Sequence, residues 1–167
     1  MAEYVIHFGG AEAEYLKLTL WGRSAPDATD YWDGNWFVCN ADVAAGGFRG
    51  AVSGDLRTEE LASFAVQLGR LQESLWGEAE FDTMEDWLSI RITGDGRGHM
   101  ELRCRLQDRP GDGNTLEFAL AIDQSFTRSS LAQLAAAVRA FPVVGSPNAK
   151  PTDAADGGAG VKFKGFP

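Results

Sequence analysis

The sequence predicts an α+β fold in which a meandering antiparallel β-sheet has two α-helices packed on one face. Several segments alternate apolar and polar residues with a period of two, and two others place apolar residues at helical spacing. Short, glycine-rich connections join successive strand-like segments. Because a short connection can join only antiparallel neighbours, the strands are expected to follow one another across the sheet.

Three segments in the first half of the chain have the strand pattern. They are residues 15–21, 36–43 and 48–56. Gly46-Gly47 separates the second from the third and is typical of a tight hairpin. The pattern therefore predicts that the second and third strands pair directly.

A helix is predicted to follow these strands. Thr58 is expected to cap it, and Glu59 and Glu60 favour the positive end of the helix dipole. Residues 61–75 then repeat apolar side chains at helical spacing, and Gly77 is expected to end the helix.

The second half of the chain repeats strand signals and ends in another helix. The predicted strands are residues 88–92, 100–106 and 116–122. The last helix is expected to start near Thr127 or Ser129 and to close at Phe141-Pro142. No internal repeat is evident in the residues themselves.

The length of 167 residues favours one domain, and we assign residues 1–144 to it. Residues 145–167 lose periodicity and are rich in Gly, Pro and Ala, which predicts a flexible tail. The tail has a charge of +1. The domain alone therefore has a charge of about −10, compared with −9 for the whole chain. The acidity therefore belongs to the domain.

The net charge of −9 disfavours nucleic acid and anionic membranes as partners and favours a basic partner. A general need for solubility would explain the same charge. No apolar run approaches the roughly 20 residues of a membrane span, and the N-terminus lacks the pattern of a signal peptide. The expected location is the cytoplasm.

The sequence offers no catalytic, cofactor-binding or metal-binding motif. It contains neither G-x-S-x-G nor H-E-x-x-H. Cys39 and Cys104 are in phase with apolar neighbours, which predicts buried thiols. His7 is expected to be structural and His99 to face water. We therefore expect a protein that is not an enzyme.

Two features could form a binding surface. The first is the aromatic run Tyr31 to Trp36; packing is favoured for Trp36, whereas packing and partner contact stay open for Tyr31 and Trp32. The second is residues 73–86, which hold six acidic residues and no basic one. This stretch is either a solvated face or a docking surface for a basic partner. The partner-binding candidates are Tyr31, Trp32, Asp33, Glu78, Glu80, Asp82, Glu85 and Asp86.

An ordered set of short motifs resembles a known family. The motifs include Tyr31-Trp32-Asp33-Gly34-Asn35-Trp36, Gly46-Gly47-Phe48, Leu56-Arg57-Thr58-Glu59-Glu60-Leu61, Gly77-Glu78-Ala79, Gly94-Asp95-Gly96-Arg97-Gly98-His99, Gly113-Asn114-Thr115-Leu116, Ile122-Asp123-Gln124-Ser125 and Phe141-Pro142. In this order, over residues 15–144, they resemble the WapI-type immunity proteins of bacteria. The resemblance implies a cytoplasmic antitoxin that neutralises the C-terminal domain of a cognate toxin, often a nuclease. It supplies no catalytic residue.

Two alternatives remain open on the sequence alone. One is a small acidic hydrolase that uses a carboxylate pair near Tyr31 to Trp36. It requires a concave pocket and a carboxyl group with a strongly raised pKa. The other is a scaffold or assembly protein without a toxin partner.

Overall fold

The computed structural model describes residues 3–10 and 12–149, so residues 150–167 of the predicted tail lie outside the described residues. Four strands and a helix occur twice in succession. The elements are β1 (Tyr4–Gly9), β2 (Tyr15–Arg23), β3 (Trp36–Ala45), β4 (Phe48–Arg57), α1 (Thr58–Ser74), β5 (Trp76–Asp82), β6 (Leu88–Asp95), β7 (His99–Gln107), β8 (Thr115–Asp123) and α2 (Gln124–Ala140). Among the described residues, no helix is both long enough and apolar enough to cross a bilayer.

The α+β class, the antiparallel pairing and the two helices are confirmed. The strands, however, form two four-stranded sheets, β1 to β4 and β5 to β8, where we expected one continuous sheet. The reason is that α1 covers the outer edge of β5, where Gln67 bonds both backbone groups of Glu80, so that β5 does not pair with β4. One core unites the layers, with buried side chains from both sheets and both helices, such as Leu18, Phe37, Phe64 and Ile90.

Two strands were missed by the sequence patterns. β1 is a short edge strand, and β5 lies within the acidic stretch that we associated with the end of the first helix. In β5, Glu78 and Glu80 alternate with Ala79 and Phe81, which are buried. The acidic residues concealed a strand of period two.

The ends of α1 differ from expectation. Arg57, not Thr58, is the N-cap residue, and its backbone N–H donates to the Glu60 carboxylate at 2.8 Å. The Thr58 hydroxyl instead donates to the Asn35 carbonyl at 3.3 Å. The helix ends at Ser74, and Leu75 takes the left-handed conformation with φ 59°. Gly77 therefore lies in β5 and does not end the helix.

α2 starts earlier than predicted. The Asp123 carboxylate caps it by accepting the N–H groups of Ser125 and Phe126 at 2.7 and 3.2 Å. The residues that we expected at the start, Thr127 and Ser129, lie inside the first turns. The helix ends at Ala140, immediately before Phe141-Pro142 as predicted.

The fold contains an internal repeat that the sequence did not reveal. Each repeat consists of four strands and the helix that follows them. The helix of each repeat covers the outer edge of the first strand of the other repeat. Gln67, the tenth residue of α1, bonds both backbone groups of Glu80 in β5. Gln133, the tenth residue of α2, accepts the His7 N–H in β1, and Ser130 donates to the His7 carbonyl. Both first strands are therefore protected from pairing with another chain.

Candidate functional site

The loop between β2 and β3 presents most of the aromatic run. We call residues 30–36 the aromatic loop. The Asp30 carboxylate accepts the N–H groups of Trp32 and Asp33, both at 2.9 Å. These bonds, led by the one from Asp33, lower the pKa of Asp30. The loop therefore has a defined turn even though Asp30, Trp32 and Asp33 are exposed.

The buried side chain of Arg57 binds the aromatic loop. Its side chain is only 1% exposed, and its guanidinium donates to the carbonyls of Trp32 and Tyr31 at 3.0 and 2.9 Å. The rings of Tyr31, Trp32 and Trp36 surround the guanidinium, with their centroids 5.0, 5.5 and 4.9 Å from its central carbon. An ion pair with Glu59 completes the arrangement. Cation–π attraction and hydrogen bonds thus fix the three rings.

Asn35 ties the loop to the end of the domain. Its buried amide donates to the carbonyls of Tyr31 and Val144 and accepts the N–H of Val144, each at 2.9 Å. Because these bonds satisfy a fully buried polar side chain, they favour a single loop conformation. Residue 144, the last of the assigned domain, is therefore bonded to the aromatic loop.

The second part of the site is the turn between β5 and β6. We call residues 83–86 the acidic turn. One Glu60 oxygen accepts the N–H of Met84 and the other accepts the N–H of Arg57, both at 2.8 Å. Burial raises the pKa of Glu60, and these two bonds oppose the rise. Glu60 therefore connects the acidic turn to the residue that holds the aromatic loop.

A cleft of about 420 Å³ lies where the two segments meet. Asp33, Asp55 and Glu85 line it beside the Trp36 ring. These three acidic residues come from three separate segments and line the same shallow depression. Such an arrangement concentrates negative potential and attracts cationic groups. We call this feature the acidic cleft.

Comparison with known families adds the deciding observation: residues 7–142 match the family of WapI-like immunity proteins. The chain belongs to this family. The match confirms the resemblance seen in the motifs and shows an immunity function. A family of immunity proteins also indicates a non-enzymatic role. No curated protein matches the sequence.

Two solved structures are similar to this chain. The MRP1/MRP2 proteins of Trypanosoma bruciei are 14% identical with a TM-score of 0.45, over 83% of this chain and 84% of that chain. The plant transcriptional regulator PBF-2 is 12% identical with a TM-score of 0.42, over 89% of this chain and 90% of that chain. These similarities are too low to bear on function.

The sequence-predicted candidates of this WapI-like protein separate into two groups. The first group lies in the aromatic loop and the acidic turn and consists of Tyr31, Trp32, Asp33, Glu85 and Asp86. Trp32 is 54% exposed, and Asp86 pairs with Arg105 at 3.3 Å. The second group lies in β5, where Glu78 and Glu80 pair with Arg91 and Asp82 is exposed at the end of the strand. Within the first group, Asp33 and Glu85 line the acidic cleft.

The sequence patterns missed three residues that build the site, Asp55, Arg57 and Glu60, and also the cleft-lining role of Trp36. The hairpin at Gly46-Gly47 contained a usable signal. A two-residue turn fixes the strand register, and this register places Trp36 directly opposite Arg57. No pattern indicated that Glu60 would reach Met84, because that contact depends on tertiary packing.

The hydrolase alternative required a carboxyl group of strongly raised pKa in a concave pocket. The cleft is present, but the acid in this region whose pKa is raised is Glu60. Both of its oxygens accept backbone N–H groups, and Glu60 is not among the cleft-lining residues. Within the described ranges, no group of three or more potential ligands is placed to hold a metal ion. The arrangement favours binding.

Both thiols should resist chemical modification in the folded protein. Cys39 and Cys104 are buried, as predicted. Burial raises the pKa of the Cys39 thiol to about 12 and also raises the pKa of Cys104. Since the thiolate is the reactive species, we expect no reaction with a disulfide reagent at pH 8. Unfolding in guanidinium should release two reactive thiols per chain; rapid reaction of the native protein would contradict the assigned burial.

Proposed function

We propose that this WapI-like protein binds the toxin domain encoded beside its gene and neutralises it by covering the toxin's active groove. The acidic cleft and the exposed face of the aromatic loop form the contact surface. The partner is basic, and a nuclease domain is the class that fits best, because a groove that binds phosphates is itself basic. The encounter takes place in the cytoplasm, where newly made toxin would first cause damage.

The convergence of Asp33, Asp55 and Glu85 is the observation that supports this proposal most strongly. These residues are distant in sequence, so their grouping around one depression is a property of the fold. A concave negative surface accelerates encounter with a basic partner through long-range attraction. It also offers acceptors for Lys and Arg side chains.

The aromatic loop supplies the second requirement, which is slow dissociation. Aromatic side chains dominate the residues that contribute most to protein interfaces. Trp32 presents an exposed ring, while the other side of the loop is fixed by Arg57 and Asn35. A rigid anchor loses little conformational entropy on binding. Residence time should therefore depend on Trp32, and association rate on the carboxylates.

The direct test is co-purification and calorimetry with the adjacent toxin domain, together with rescue of cells that express it. We expect a complex and survival. A scaffold protein would give neither. Failure of both binding at micromolar concentrations and rescue would contradict the proposal.

Charge reversal should separate steering from folding. In the double variant Asp33→Lys with Glu85→Lys, we expect association with the toxin to slow by about 10- to 100-fold. The effect should shrink at high salt, because ions screen exposed charges. Stopped-flow measurements across a salt series would establish this.

A matched control is available at the opposite end of the first sheet. Glu12 and Glu14 are exposed beside the β1–β2 turn, and replacing both by lysine changes the net charge by the same amount. This control should retain most of the association rate. Equal losses in the two double variants would show that only total charge matters and would place the contact elsewhere.

A further inference from the structure

The two sheets have four outer edges, of which two are covered by helices and two are open. The edges of β1 and β5 are covered by α2 and α1 through Gln133, Ser130 and Gln67. β4 and β8 are the last strands of their sheets, each paired on one side only. An open edge presents unpaired N–H and C=O groups that can join a strand from another chain.

The register shows which groups of β4 point outward. Thr58 N–H donates to Asn35 O at 2.9 Å and extends the β3–β4 ladder. Backbone groups alternate in an antiparallel ladder, so even-numbered residues of β4 face β3 and odd-numbered residues face the open edge. The Asp55 carbonyl fits this scheme, since it accepts the Trp87 indole N–H at 2.6 Å. In the described ranges, the backbone groups of Arg49, Ala51 and Ser53 have no such partner.

Charge indicates what pairs with this edge. Arg49 and Asp55 lie on the same face of β4, three residues on either side of Val52. If β4 pairs antiparallel with another β4 about a two-fold axis at Val52, each Arg49 lies opposite an Asp55, which leaves Asp33 and Glu85 as the cleft acids that this pair does not use. Gly50 then faces Gly54 and Ala51 faces Ser53, so small residues meet along the centre of the contact.

The other open edge lacks this complementarity. The Asp108 N–H donates to the Asn114 carbonyl at the β7–β8 turn, which makes the odd-numbered residues of β8 face the open edge. Among the odd-numbered positions from 115 to 121, Glu117 is the charged residue. No register of two antiparallel β8 strands therefore places opposite charges against each other at these positions.

We propose that two copies of the protein associate through β4, so that their first sheets form one continuous antiparallel sheet of eight strands. The contact is isologous, because the same residues meet across the axis. The side chain of Phe48, which is 68% exposed at the start of β4, lies beside the end of the partner's strand in this arrangement.

The mass in solution gives the first test. Light scattering or sedimentation at about 100 μM should report twice the chain mass of 18.0 kDa, in a concentration-dependent equilibrium. A protein that stays monomeric at this concentration would overturn the proposal.

Two proline variants identify the edge. Ala51→Pro removes an N–H that faces outward, so it costs no bond to β3 and should leave a folded monomer. Ala119→Pro is the matched control, because Ala119 holds the corresponding outward-facing position in β8. It should leave the dimer intact. Dissociation by Ala119→Pro with no effect of Ala51→Pro would overturn the assignment to β4.

Charge exchange tests the register. Arg49→Asp and Asp55→Arg should each weaken the dimer by about tenfold, and the double variant should recover most of that loss. Absence of recovery would contradict the two-fold axis at Val52. If the wild-type protein is monomeric and Ala51→Pro abolishes toxin neutralisation, the β4 edge contacts the toxin instead.

Discussion

Replacing Arg57 by methionine should reduce the free energy of unfolding by about 3–5 kcal/mol, as is typical when one partner of a buried ionic network is removed. The substitution leaves the carbonyls of Tyr31 and Trp32 without their donor and the Glu59 carboxylate without its cation. One Glu59 oxygen already lacks a hydrogen-bond partner, so the site has no reserve donor for this charge. Denaturant unfolding followed by tryptophan fluorescence would measure the loss.

Two further variants make this prediction specific. Arg57→Lys retains the charge but cannot reproduce the planar fork, so we expect an intermediate loss of stability. Arg97→Met removes an exposed arginine in the β6–β7 turn and should change stability by less than about 0.5 kcal/mol. If Arg57→Met costs no more than Arg97→Met, the guanidinium does not hold the aromatic loop.

Local periodicity was sufficient to predict six of the eight strands and both helices. In β7, Met100, Leu102, Cys104 and Leu106 alternate with charged residues, and the structure buries them as that pattern requires. The hairpin at Gly46-Gly47 also behaves as expected, with β3 and β4 paired on either side of it. These features depend on neighbours in sequence, which is why they were visible there.

The division into two sheets could not be predicted in the same way. It depends on Gln67 and Gln133, which bond strand edges 13 and 126 residues away. Glutamine at a half-buried helical position has no distinctive spacing. β1 was missed for a related reason, since its outer edge is completed by α2, an element from the other end of the domain.

The candidate site was predicted in parts. Composition indicated an aromatic segment and an acidic segment, but it gave no reason to place Asp33 near Glu85. Their convergence depends on Glu60, which joins Arg57 to Met84, and on Trp87, which bonds Asp55. Both contacts cross between the two halves of the fold. The residues that position the cleft therefore lie mostly outside it.

Trp87 is the second residue whose loss should have a large effect. Its side chain is 2% exposed and packs on Gly54, where an added Cβ would lie 2.5 Å from the indole ring. Trp87→Ala should lower the free energy of unfolding by about 3–5 kcal/mol through a cavity and lost contacts. Trp76→Ala, at a site that is 73% exposed, is the matched control and should cost less than about 1 kcal/mol.

The same variant tests whether the acidic turn belongs to the toxin contact. Without the indole, the Asp55 carbonyl loses its donor, and Glu60 and Arg105 remain to hold the acidic turn. Glu85 should then move away from Asp33. Association of Trp87→Ala with the toxin should therefore slow, as we expect for the Asp33→Lys, Glu85→Lys double variant. Trp87→Phe, which retains most of the packing, should preserve more of the rate. A destabilised Trp87→Ala protein that still binds the toxin at the wild-type rate would exclude the acidic turn from the interface.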